Sequence, residues 1–263
     1  MKLKFKRQQF QIDARDAVCD VFEGQGTDSF KYLFGRKKGG LTDFGADSNI
    51  YAWKNGKISL SDETLLNNIK KIQKKHDIKQ STQLEGDGVN LTTEMETGTG
   101  KTYVYINSIF ELNKRYGWTK FIVVVPSIAI REGVAKSFQI MEDHFATLYG
   151  KKIRHFIFNS SKPTQIESFA TNSGINVMVI NNHAFNKKDT NNMYKKTERG
   201  AKLIDYISGT NPIMIIDEPQ SVEGKSTKLA MKDFNSLFTL RYSATHRETY
   251  NMIYRLDAVD AFN

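Results

Sequence analysis

Thr93-Glu-Met-Glu-Thr-Gly-Thr-Gly-Lys-Thr102 is the stretch that decides the fold. Gly98 and Gly100 let the backbone approach an anion closely, in conformations a side chain would forbid. The peptide N–H groups around Thr97 and Thr99 can then point inward, Lys101 can reach the outer phosphates of a triphosphate, and the Thr102 hydroxyl can ligate Mg²⁺. A helix running from about Lys101 would set its positive dipole end against the same phosphates. Upstream, Val89 to Thr93 alternates apolar and polar residues, as a short strand feeding such a loop does. The usual phosphate-loop pattern has glycine where this chain has Met95, and alone the stretch also reads as a glycine-rich turn with a solvated lysine.

The downstream sequence weighs against that plain turn. Ile213 to Ile216 is continuously apolar, which marks a buried parallel strand, and it delivers Asp217 and Glu218 to the carboxyl edge of a sheet. There Asp217 would hold Mg²⁺ directly or through water, and Glu218 would polarise the water that attacks a γ-phosphate. Asp-Glu-Pro also suits an ordinary strand-ending turn. Phe238 to Thr245 is a third strand-like run, ending in Ser243-Ala-Thr245. The small hydroxyls of Ser243 and Thr245, with Gln220, can hydrogen-bond the acidic motif and relay the state of the γ-phosphate. Strands alternating with helical stretches predict an α/β fold, a mainly parallel sheet with helices on both faces.

Read in order, Phe10-Gln11, Met95 to Thr102, Val124 to Ile130, Asp217 to Gln220 and Ser243 to Thr245 resemble the early motifs of a superfamily 2 helicase-type ATPase. Glu94 to Tyr105, Phe110 to Tyr116 and Val125 to Val134, together with Asp217-Glu-Pro-Gln220, resemble more closely the Res subunit of type III restriction enzymes. The resemblance covers most of the chain and is weakest between 26 and 88. It implies a RecA-like P-loop NTPase domain serving as a first motor domain, ATP and Mg²⁺ as cofactors, ATP-dependent action on DNA, and assembly with a modification methyltransferase subunit. It also implies a second motor domain that supplies an arginine to the cleft, and a carboxyl-terminal nuclease. Nothing after residue 246 is long enough for either, so the chain reads as the amino-terminal part of a longer subunit, with little turnover alone.

Other site residues follow from the same resemblance. Gln11, with Phe10 beside it, resembles the adenine-reading glutamine of such proteins, although Phe10, Ala14, Ala17, Val18 and Val21 also describe a plain amphipathic first helix. Pro126-Ser127 opens a helix read over Ile128 to Met141, and the turn would lie against nucleic-acid phosphate. It equally suits an ordinary strand-to-helix turn with proline near the first helical position. Asn182 and His183, at the end of a strand read over Val177 to Ile180, would make a second nucleic-acid contact, or His183 would satisfy a loop carbonyl.

Composition bounds these readings. The 263 residues can bury a full core, and the net charge of +9 favours an acidic partner such as nucleic acid. Cys19 is the single cysteine, which excludes an intrachain disulfide framework and fits a reducing cytoplasm. No apolar run approaches the ~20 residues that span a bilayer. Lys2, Leu3, Lys4, Phe5, Lys6 and Arg7 lack the apolar core of a signal peptide. Four segments are expected: an adenine-side opening (1–25), a polar insertion containing a helix over Ser61 to His76 (26–88), the ATPase core (89–246) with a surface loop over Asn186 to Arg199, and a linker or the start of a second domain (247–263). A nucleotide-binding docking module without hydrolysis and a different P-loop enzyme, such as a small-molecule kinase, remain open. Phe10-Gln11 and Ser243-Ala-Thr245 weigh against the kinase.

Overall fold

The computed structural model describes residues 5–27, 29–34, 36–37, 40–41, 50–188, 191–196 and 200–256, with backbone alone between 29 and 51. The chain runs α1 (Gln9–Asp20), β1 (Ser29–Phe34), β2 (Arg36–Lys37), β3 (Gly40–Leu41), β4 (Ile50–Asn55), α2 (Asp62–Lys75), β5 (Asn90–Met95) and α3 (Lys101–Tyr116). It continues through β6 (Lys120–Val125), α4 (Ile128–Tyr149), β7 (Arg154–Ile157), α5 (Pro163–Thr171), β8 (Asn176–Asn181), α6 (Leu203–Ser208) and β9 (Ile213–Asp217). It closes with α7 (Pro219–Val222), α8 (Lys225–Met231), β10 (Thr239–Ser243) and β11 (Asn251–Leu256).

Seven strands form one parallel sheet in the order β11-β5-β10-β9-β6-β8-β7. Both faces of the central strands β6, β8 and β9 are covered, and their side-chain alternation shows it. Phe121, Val123 and Val125 of β6 join Ile213 and Ile215 of β9 in a core with α1, α2, α3 and α4. Their neighbours Ile122, Val124, Met214 and Ile216 enter a second core with α5 and α6. This two-sided burial is why the strands read as continuous apolar runs. The expected RecA-like α/β arrangement is therefore present.

Strand order differs from chain order at one decisive place. From β5 the chain moves to β6, leaving space that β9 and β10 later fill, so β10 lies between the loop-bearing β5 and the acidic β9. Parallel strands put all three carboxyl ends on one edge, where such sheets bind ligands.

The helix ends follow local chemistry. Ser61 caps α2 by accepting from Thr64 N at 3.2 Å, with Asp62 and Glu63 in the first turn and Lys74 and Lys75 in the last, each complementing the helix dipole. Ser127 caps α4, accepting from Ile130 N at 3.3 Å, and α4 runs to Tyr149, past the expected Met141. It continues because Phe145 extends the apolar face that packs against α3.

The described residues bear on three of the expected segments. Within 26–88, α2 is part of the main core through Leu65, Ile69 and Ile72, and Asn55 at the end of β4 donates to Lys120 O at 2.8 Å. These residues are integral to the α/β domain. Asn251–Leu256, expected as linker or the start of another element, is the edge strand β11 pairing with β5, with Ile253, Tyr254 and Leu256 buried; 257–263 lie outside the described residues. Asn186 to Arg199 contains a short 3-10 turn, Asn192–Tyr194, that buries Met193 in the second core; 189–190 and 197–199 lie outside the described residues, as do Lys2, Leu3 and Lys4.

Candidate active site

At the carboxyl edge, β5 turns into the glycine-containing loop and α3. Gly98 and Gly100 have φ of 85° and 89°, the left-handed region that only glycine enters readily, and Gly100 is the residue from which α3 starts. A Cβ at Gly98 would meet nothing within 4 Å, so the loop presents open space there. The loop is folded on itself: Thr99 N donates to Glu96 O at 3.3 Å, its hydroxyl donates to the same carbonyl at 2.7 Å, and Thr97 N donates to Glu96 Oε2 at 3.2 Å. Lys101, mostly buried, reaches Met95 O at 3.4 Å and Glu218 Oε1 at 3.2 Å. That ion pair brings the loop of β5 and the acidic end of β9 together across β10.

Glu218 sits in the left-handed region, φ 54° and ψ 63°, directly before Pro219. For a residue other than glycine this costs about 1–3 kcal/mol and persists only where neighbours fix it. Its N–H donates to Tyr242 O at 2.9 Å. Its Oε2 accepts from Gln220 Nε2 and from Ser243 Oγ, both at 2.6 Å. Ser243 Oγ also lies 2.9 Å from Gln220 Oε1 and accepts from Thr245 N at 3.2 Å. Burial works to raise the Glu218 carboxyl, but the bonds from Ser243 and Gln220 and the charge of Lys101 outweigh it and hold the group below the usual carboxylate range.

Asp217 is buried, and burial pushes its carboxyl up to about 6, with Glu218 adding to the shift and Lys101 opposing it. Among the described residues no side chain donates a hydrogen bond to it, in contrast to Glu218. The two adjacent carboxylates are thus driven apart: one bonded and ionised, the other buried and poorly compensated. A buried carboxylate of that kind, close enough to feel the Lys101 charge, is a group that could hold a divalent cation.

Gln11 also reaches the loop, its Nε2 donating to Thr99 O at 2.9 Å. A Cβ on Gly100 would lie 2.6 Å from that same Nε2, so the glycine accommodates the glutamine as well as the turn. Phe10 is partly buried against the main core. The adjoining ring cluster of Phe5, Tyr103 and His144, with Tyr103 Oη 2.9 Å from His144 Nε2, was not legible in the sequence because it joins three distant segments.

The expected nucleic-acid residues separate. Pro126 and Ser127 are partly exposed on the rim, and His183 is exposed, but Asn182 is 8% exposed and its Oδ1 finds no partner, so its side chain faces the protein. The Ser127 oxygen is engaged as a helix cap. Arg131, one turn into α4, joins the two rim segments by donating to Asn181 Oδ1 at 3.2 Å, and it also pairs with Glu132 at 3.0 Å. Its position four residues past Ser127 is the only sequence signal of that role. Thr245 is exposed and enters the acidic network through its backbone N–H, not its hydroxyl.

Comparison with known proteins places the chain in a family. The chain is 35% identical over 232 residues to the type III restriction-modification enzyme EcoP15I Res subunit of Escherichia coli, and 33% identical over 237 residues to the EcoPI Res subunit of Escherichia phage P1. Each match covers 80% of this chain and 24% of the relative, so the chain spans about a quarter of the length of those proteins. The solved UvsW helicase from bacteriophage T4 aligns with a TM-score of 0.39 and 15% identity over 74% of this chain and 64% of that one, a distant likeness that adds nothing to the topology above. No helix among the described residues is long and apolar enough to cross a membrane. The family model for "Type III restriction enzyme, res subunit" matches residues 55–248, and the chain belongs to that family.

Proposed function

We propose that this chain binds Mg-ATP at the carboxyl edge of β5, β10 and β9 and acts as the first motor half of a DNA-dependent ATPase, within a type III restriction enzyme Res subunit. The observation that carries the reading is the Lys101–Glu218 contact at 3.2 Å, which joins a phosphate-binding loop to a paired acidic strand end. Lys101 exchanges Met95 O and Glu218 for phosphate oxygens, freeing Glu218. Thr102 and Asp217 would hold Mg²⁺, which would supply positive charge against the triphosphate. Glu218, kept ionised by Ser243 and Gln220, accepts a hydrogen bond from the attacking water. Gln11 turns from Thr99 O toward the adenine edge, which couples base recognition to loop shape.

DNA phosphate lies along Pro126, Ser127 and His183, with Arg131 bracing the rim, and contacts of that kind position a strand without reading its sequence. A methyltransferase subunit supplies recognition, and a second motor domain supplies the arginine that speeds hydrolysis. A DNA-acting ATPase whose only thiol is buried suits the reducing cytoplasm. Calorimetry with Mg-ATP tests the nucleotide assignment: Lys101→Ala is expected to lose binding while melting cooperatively, and equal affinity in both proteins would overturn it.

A further inference from the structure

Arg241 and Glu223 form a buried ion pair beside the site, on the face of β10 opposite Tyr242. Arg241 Nε lies 3.0 and 3.1 Å from the two Glu223 oxygens and Nη2 lies 2.8 Å from Oε1. Nη1 donates to Asn90 Oδ1 at 2.8 Å, and the guanidinium carbon stands 3.9 Å from the centre of the Tyr250 ring. The two side chains are 6% and 8% exposed. A pair buried this deeply is a weak source of stability, because desolvation offsets the attraction. What it fixes well is geometry, since the planar guanidinium admits one arrangement of its partners.

The geometry in question is that of α7. This helix has four residues, too few to hold themselves, and it begins at the strained Glu218 and ends at Glu223. Its near end is fastened by Glu218 N to Tyr242 O and its far end by Glu223 to Arg241. Both fastenings are on β10, the strand that ends in Ser243. Through Asn90 the same guanidinium holds the first residue of β5, which carries the phosphate loop. With both ends tied to one strand, α7 cannot swing, Glu218 cannot relax out of its left-handed conformation, and Gln220 stays in reach of the Glu218 carboxylate.

We propose that Arg241 and Glu223 are positioning residues that hold Glu218 in place for water activation by clamping α7 to β10. The proposal rests on Glu218 being the water-polarising carboxylate. The test uses the 263-residue chain with the double substitution Arg241→Met and Glu223→Leu, which replaces the pair by apolar groups of similar size and keeps the fold. The Gln220 side-chain amide, bonded to Glu218 at 2.6 Å, is followed in a proton–nitrogen NMR spectrum and assigned by its loss in Gln220→Glu. In the double variant this signal is expected to move to the position of a solvated glutamine amide. Mg-ATP affinity is expected to stay within about threefold while single-turnover hydrolysis slows by about 10- to 100-fold, the effect of a misplaced group near the reacting atoms. Glu223→Gln, which keeps the side-chain shape, should shift the same signal in the same direction, and it decides the matter if the double variant does not fold. An unchanged Gln220 signal overturns the proposal, as does a loss of hydrolysis that only follows a loss of nucleotide affinity. Failure of the parent chain to bind Mg-ATP would defeat the function reading, and the amide signal would still decide the clamp.

Discussion

Gly100→Ala tests whether the glutamine of α1 and the phosphate loop form one unit. Gly100 has φ 89°, and alanine in the left-handed region costs about 1–2 kcal/mol. The new Cβ would stand 2.6 Å from Gln11 Nε2 and 3.7 Å from Gln11 Cδ and Tyr103 Cβ. Because Nε2 is the far end of a flexible side chain, Gln11 moves and the backbone stays. The move breaks its 2.9 Å bond to Thr99 O, a net loss of about 0.5–1.5 kcal/mol. The total is about 1.5–3.5 kcal/mol, or roughly 3–14 °C in Tm at this chain length. Gln11→Ala alone loses the bond and costs about 1 kcal/mol. In the Gln11→Ala background, Gly100→Ala should therefore cost only the backbone strain, leaving a coupling of about 1 kcal/mol in a urea-unfolding double-mutant cycle. Both single variants should also lower the preference for ATP over GTP in competition binding. Additive unfolding energies, or a Gly100→Ala protein that keeps its base preference, would refute the reasoning.

Three further outcomes are expected. Asp217→Asn should make the chain more stable at pH 7. A carboxyl raised from 3.8 to about 6 holds its proton more tightly when folded, so its penalty is absent below pH 4, grows as pH rises through 6, and reaches about 3 kcal/mol above that. Melting curves from pH 4 to 8 should show the gain appearing across that window, together with loss of Mg-dependent nucleotide binding; a variant less stable at pH 7 would count against the buried, uncompensated carboxylate. Ser243→Ala should slow single-turnover hydrolysis with little change in Mg-ATP affinity, since it removes one of the two donors to Glu218 Oε2; unchanged turnover would remove Ser243 from the site. DNA binding measured by fluorescence anisotropy should be weak, indifferent to sequence and steeply weakened by salt, and Arg131→Ala should lower it equally for all sequences; tight sequence-specific binding would contradict the rim assignment.

The elements legible in the sequence are those whose signals are local. The continuous apolar run before Asp217 identifies a doubly covered strand, and Ser61 with flanking acids and later lysines marks both ends of α2. β11 was not read as a strand because Asn251-Met-Ile-Tyr-Arg-Leu256 does not alternate, its register shifting between Met252 and Tyr254, and its partner, β5, lies far upstream. The hydrogen bond from Ser243 to the acidic motif was expected from its place at a strand end, whereas the bond from Gln11 to Thr99 O depends on how α1 packs against the loop, which sequence order does not contain. Asn182, expected at a nucleic-acid contact, is 8% exposed, which its sequence position does not indicate. Whether a residue at a strand end points out or in is settled by the 3-10 turn that follows, here Asn182–Ala184.

The placement of β5 has a consequence for how the site comes into being. Both neighbours of the loop-bearing strand come from the far end of the chain: β10 pairs with it through Thr239 to Ser243 and β11 through Asn251 to Leu256, about 150 residues downstream. On a ribosome adding 5–20 residues per second, β5 would wait roughly 8–30 s before either partner exists. β6, β7 and β8 can pair with one another during that interval. The part of the sheet behind the glycine-containing loop is therefore the last to close, and until then that loop has only the unpaired β5 to anchor it.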